Sequence, residues 1–196
     1  MGPCYERLTS EACTAMLGTA VGLRVSRVWE SVEPTVFLEL GRLKRRPHHR
    51  MACGQVTVMI ESDWRVERGH TIWLGSCFKD SLRERRLEQL VGQRIAAITT
   101  EGRISELCIL LQDNRGLTTY TDWRAHPQWT VLFYDVSLLN LHPVWNGVDV
   151  TPCLSTKRGK AEVQYCFDPA EMRKSARQHL KSLYGWTSGP GKSRRG

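Results

Sequence analysis

The sequence predicts an α+β fold. Two duplicated modules, each a helix plus antiparallel strands, pack with approximate two-fold symmetry and are followed by a C-terminal strand and helix. Three observations predict it. The segment Val21-Gly22-Leu23-Arg24-Val25 resembles Val91-Gly92-Gln93-Arg94-Ile95, and each follows a helix-like stretch. The tripeptide Asp63-Trp64-Arg65 recurs as Asp122-Trp123-Arg124. Between these landmarks run short apolar segments bounded by turn residues, the pattern of half-buried strands.

The elements follow in order. Ser10 to Leu17 reads as the first helix and Ser81 to Leu90 as the second. Asp80 or Ser81 can cap the second, with Glu84 placed for a capping box. After each Val-Gly comes an apolar strand, Val36 to Gly41 in the first copy and Leu107 to Gln112 in the second. The Val-Gly pairs lie 70 positions apart (21 to 91), but the Asp-Trp-Arg motifs only 59 (63 to 122). An insertion in the first copy, the loop Arg42 to Cys53, accounts for the difference. The second copy has only the tight turn Gln112-Asp113-Asn114-Arg115-Gly116 at that place, a hairpin signal. Gln55 to Ile60 and Leu117 to Thr121 alternate as strands do, and Ile72-Trp73-Leu74 and Trp129 to Phe133 trail the two motifs. Val163 to Phe167 reads as one more strand. Asp168-Pro169-Ala170-Glu171 then starts a helix that runs to Tyr184. The expected organisation is a first module over 1–80, a second over 81–140, an extension over 141–185 and a loose basic tail over 186–196.

Of the 196 residues, 41% are hydrophobic and seven are Trp, which excludes a disordered composition. No apolar run approaches the roughly 18 residues of a membrane span, so no membrane role is expected. The N-terminal residues lack a basic stretch followed by an apolar one, so no secretory signal is expected. Seven widely spaced cysteines, without a Cys-x-x-Cys pair, read as reduced thiols of a cytoplasmic protein. The net charge is +8, but it is not uniform. Residues 1–150 hold 18 Lys and Arg against 17 Asp and Glu, a balance of +1; residues 151–196 hold 10 against 3, a balance of +7. The body is nearly neutral and carries a basic C-terminal segment.

Asp63, Trp64, Arg65, Asp122, Trp123 and Arg124 are the sharpest binding candidates. Both copies could converge and grip a ligand, or each Trp could anchor the core while Asp and Arg close a turn. The inserted loop offers Lys44, Arg45, Arg46 and Arg50, which could sit on phosphates or form a solvated hairpin. Arg173, Arg177 and Lys181 share one face of the C-terminal helix, as an anion-contacting surface or a solvated one. His48, His49 and Cys53 offer three metal-type side chains, but adjacent histidines on an extended chain diverge and no fourth ligand is evident, so no metal and no cofactor is expected. The chain has no Gly-x-Ser-x-Gly, phosphate-cradling glycine loop or His-Glu-x-x-His, and no catalytic residue is assigned.

The strand Ile60-Glu61-Ser62-Asp63-Trp64-Arg65-Val66-Glu67 and the strand start Leu90-Val91-Gly92-Gln93-Arg94-Ile95 resemble small bacterial proteins similar to immunity-type proteins, over roughly residues 54–135. The resemblance implies a non-enzymatic protein that neutralises a toxin encoded beside it by binding. Immunity proteins against nucleases are often acidic; the neutral body departs from that and argues against a nuclease partner. The expectation is therefore a bacterial, cytoplasmic, non-enzymatic binding protein, immunity-like, with a protein partner. The alternative is a nucleic-acid-associated protein using the basic loop and the C-terminal segment.

Overall fold

Short runs rich in β-branched residues cannot satisfy their own backbone groups, so they must pair. The computed structural model describes residues 4–7, 10–31, 35–46, 51–102, 106–120, 129–135, 152–157 and 160–165. The first half holds β1 (Cys4–Arg7), α1 (Ser10–Gly18), β2 (Val25–Glu30), β3 (Val36–Leu40), β4 (Val56–Ile60), β5 (Asp63–Arg68) and β6 (Thr71–Gly75). The second holds α2 (Asp80–Glu88), β7 (Ile95–Glu101), β8 (Glu106–Leu111), β9 (Arg115–Tyr120), β10 (Trp129–Phe133), β11 (Pro152–Lys157) and β12 (Lys160–Tyr165). They form a seven-stranded sheet, ordered β1-β12-β11-β10-β4-β3-β2, and a five-stranded sheet, ordered β6-β5-β9-β8-β7.

This architecture corrects the expected fold class. The described residues make a β-rich protein of two antiparallel sheets with two nine-residue helices, not an α+β arrangement of duplicated helix-plus-strand modules. The modules fail as units because each sheet draws strands from both copies. Strand β5 leaves the first copy and pairs along its length with β9, from Asp63 opposite Tyr120 to Arg68 opposite Arg115. Strand β10 leaves the second and pairs with β4, from Trp129 opposite Ile60 to Phe133 opposite Val56. The helices are exchanged in the same sense, α1 packing on β7 and α2 on β2. An ion pair from Arg83 Nε to Glu30 Oε1, 2.6 Å, fastens α2 to β2.

The cap expected for the second helix is also corrected. Lys79 occupies the capping position without a side-chain bond, and Asp80 sits in the first turn, paired with Arg83 at 3.0 Å. There its charge favours the helix N-terminus without capping it. Strands β11 and β12 extend the larger sheet beyond β10, and β12 pairs in turn with β1. The helix expected from Asp168 and the tail over 186–196 lie outside the described residues.

One core runs between the sheets. Leu38, Leu40, Val58 and Ile60 from the larger sheet and Trp64, Val66, Ile109 and Leu117 from the smaller belong to it, with Cys13, Met16 and Leu17 of α1. Each such apolar side chain contributes roughly 1.5–3 kcal/mol on burial. The two Val-Gly segments lock the sheets at their junction. Val25 N donates to Gln93 O (2.8 Å) and Ile95 N to Leu23 O (2.9 Å). Gly22 N donates to Ile95 O and Gly92 N to Val25 O, both at 2.8 Å. Gly22 (φ 83) and Gly92 (φ 92) take the left-handed backbone this exchange needs, at no steric cost.

Candidate binding surface

The first Asp-Trp-Arg motif lies on β5. Trp64 is buried among the core side chains, and its indole N–H has no partner among the described residues. Asp63 accepts a hydrogen bond from Ser76 Oγ (2.9 Å), and Ser76 N donates to Trp64 O (2.9 Å), closing the end of the β5–β6 hairpin. The Arg65 guanidinium lies 4.6 Å from the Tyr120 ring centroid and pairs with Glu67. These are the contacts of an anchor and its strand neighbours. Asp122, Trp123 and Arg124 lie outside the described residues. In the larger sheet the strand that crosses over as β5 does is β10, which begins at Trp129.

The inserted loop is a continuation of the β3–β4 hairpin. Lys44 N donates to Cys53 O (2.8 Å) and Cys53 N to Lys44 O (2.9 Å). Its base is built on a buried carboxylate, Glu39, which is 1% exposed and would cost several kcal/mol if left without partners. Glu39 accepts from Trp29 Nε1 (3.1 Å), Gly54 N (2.7 Å) and Thr57 Oγ1 (2.5 Å). Arg27 Nη2 stands 3.7 Å from it and donates to Ala52 O at 2.5 Å. Trp29 stacks on Phe37 above this hub, with ring centroids 3.8 Å apart. A side chain at position 54 has no room, since its Cβ would come within 2.5 Å of Leu40 O. Gln55 ties the far side. Its Oε1 accepts from Arg42 N (3.0 Å) and its Nε2 donates to Asp135 Oδ2 (2.9 Å).

The cations then divide into two sets. Arg27 serves the Glu39 hub, Arg83 pairs with Glu30, and Arg115 pairs with Asp113 at 2.6 Å. Arg115 also donates to Gln89 O (2.8 Å) and covers the Trp73 ring at 4.6 Å. Arg46 belongs with these. Its Nη2 donates to Tyr134 O (3.1 Å) and its guanidinium lies 4.6 Å from the Tyr134 ring centroid. Arg42, Lys44 and Arg45 are exposed, and no carboxylate among the described residues lies within ion-pair distance of them. Exposed Arg24 and Arg94, at the sheet junction, are in the same position, as are exposed Arg68, Lys79 and Arg85. Of the other proposed cations, Arg50, Arg173, Arg177 and Lys181 lie outside the described residues. So do His48 and His49, and no cluster of three metal-type side chains occurs among the described ones.

The thiols of buried Cys13 and Cys53 and half-buried Cys108 are held protonated. Burial pushes Cys13 up to about 11 and Cys108, with Glu101 adding to it, to about 11. Burial, and then the charge of Glu39, raises Cys53, and burial raises the Tyr134 phenol beside it. None of these groups is poised as a nucleophile at neutral pH.

Sequence reading missed the Glu39 hub, Arg42, Arg24 and Arg94. The last two were visible as the same residue type at the same place in both Val-Gly segments. Compared with protein-family models, curated proteins and solved structures, the chain matches none of them.

Proposed function

We propose that this chain is a non-enzymatic binding protein whose contact element is the β3–β4 hairpin, and that the hairpin holds the phosphate backbone of a nucleic acid. The observation that carries this reading is the clustering of exposed, unpaired cations on one braced hairpin. Those the fold needs are paired or stacked, while Arg42, Lys44 and Arg45 stand in solvent on a base braced by Glu39 and Gln55. A braced loop keeps its cations in place before the partner arrives, which lowers the ordering cost of binding. Phosphate contacts of this kind bind without reading sequence and weaken steeply with salt.

The test is fluorescence anisotropy with a labelled DNA or RNA duplex across a salt series. The triple variant R42Q/K44Q/R45Q is expected to bind more weakly and to lose roughly one unit of salt slope per cation removed. An unchanged affinity and slope would sink the reading.

A second reading, an immunity-like inhibitor with a protein partner, draws on Leu43 and Met51. They are 36% and 43% exposed on the same hairpin and would suit an apolar contact flanked by arginines. It predicts a one-to-one complex from nuclease-treated host lysate that survives moderate salt and is lost in L43S/M51S. On either reading the chain works in the bacterial cytoplasm. The free thiols of Cys13, Cys77 and Cys108 suit that reducing compartment, and no helix among the described residues is long and apolar enough to cross a membrane.

A further inference from the structure

The reciprocal turns do more than lock the two sheets. Arg24 and Arg94 are directly opposed partners in an isolated antiparallel bridge. The bonds from Val25 N to Gln93 O and from Ile95 N to Leu23 O bracket that pair, so it is the narrow kind of antiparallel pair. Its Cα atoms stand about 4.5 Å apart and its side chains leave the same face. The next residues, Val25 and Ile95, are buried, so by alternation both arginines point outward, and both are exposed.

The backbone at this point cannot spread the charges apart. Arg24 O accepts from Gly41 N (2.7 Å) and Arg94 O from Gln112 N (3.0 Å), which fixes the outer side of each strand. Arg94 Nη1 donates to Gly22 O (2.7 Å), which holds that guanidinium over the turn and leaves its other donors unassigned. Like charges directly opposed on neighbouring strands repel, and no carboxylate among the described residues pairs with either. The pairing recurs from sequence, because each Val-Gly-x segment delivers an arginine to the same place.

We infer that Arg24 and Arg94 together form a seat for one phosphate group. A multiply charged oxyanion placed between two guanidinium forks relieves their repulsion and accepts bidentate hydrogen bonds from both. This seat is separate from the hairpin reading and does not depend on it.

The experiment uses the full chain at constant ionic strength, titrated with inorganic phosphate against chloride. Binding is read from arginine side-chain NMR shifts and from the melting temperature. Native protein is expected to show a saturable shift at both arginines and a rise in melting temperature. R24Q and R94Q each weaken the apparent phosphate affinity by about tenfold or more, R24K/R94K restores part of it, and K79Q, at an exposed lysine before α2, leaves it unchanged. A melt in chloride establishes that each variant is folded. No phosphate-dependent shift in native protein overturns the proposal, as does an equal response in folded R24Q/R94Q. A labelled oligonucleotide separates the sources of the phosphate. Weaker oligonucleotide binding by R24Q/R94Q assigns the seat to a phosphodiester, and unchanged oligonucleotide binding with lost phosphate binding assigns it to a free phosphate or monoester.

Discussion

Glu39 is the side chain on which the hairpin base depends. A carboxylate that accepts from Trp29, Gly54 and Thr57 can do so only while it is an acceptor at both oxygens. E39Q keeps the shape, removes the charge facing Arg27 and turns one acceptor into a donor that confronts other donors. It is expected to lower stability by about 2–4 kcal/mol, read as a shift in the urea midpoint. An unshifted midpoint would mean that the hub contributes nothing. The sequence hides this residue for a physical reason. In Val36-Phe37-Leu38-Glu39-Leu40 the alternation puts Glu39 on the solvent side of a one-faced strand, but here it is buried. Trp64 was legible as an anchor because a large apolar ring in a strand has few other uses. The opposed arginines were legible as a repeat but not as a pair, since pairing across 70 positions is not a local property.

Among the elements, the β8–β9 hairpin shows how much local chemistry reveals. Asn114 takes the left-handed conformation at φ 62, Asp113 Oδ1 accepts from Arg115 N at 3.2 Å, and the turn stands where Asp-Asn-Arg-Gly placed it. Burial tends to raise the Asp113 carboxyl, but hydrogen bonds from Arg115 and its charge outweigh that and hold it below its ordinary 3.8. A depressed carboxyl contributes stability above its unfolded value, and that contribution is lost as pH falls through the folded value. D113N is therefore expected to be less stable than the native chain at neutral pH, with the gap closing below about pH 3.8. Urea melts at several pH values check it, and a gap independent of pH would remove Asp113 from the account. The β3–β4 hairpin was less legible. Its insertion and its charge were plain in the sequence, but what braces it comes from β2, from the start of β4 and from the residues after β10.

At the scale of the whole molecule, the expected modules dissolve into sheets built from both halves. The repeat itself was readable, and so were most strand positions. The exchange of β5 and β10 was not, because periodicity says which face of a strand is buried and nothing about whose edge it joins. Fragments 1–80 and 81–140, expressed alone, are each expected to lack a cooperative thermal transition, while the full chain shows one transition by circular dichroism and fluorescence. A fragment that melts cooperatively by itself would contradict the interleaved packing. The same exchange sets an order on biosynthesis. The smaller sheet has all its strands once Tyr120 has left the ribosome, whereas β4 awaits β10, and β1 awaits β12, which ends at Tyr165. For several seconds of elongation, at about 5–20 residues per second, the nascent chain carries the apolar strand Val56–Ile60 with one edge unpaired. Such an edge templates aggregation between neighbouring chains, so a polysome making this protein gains from a holdase during that interval.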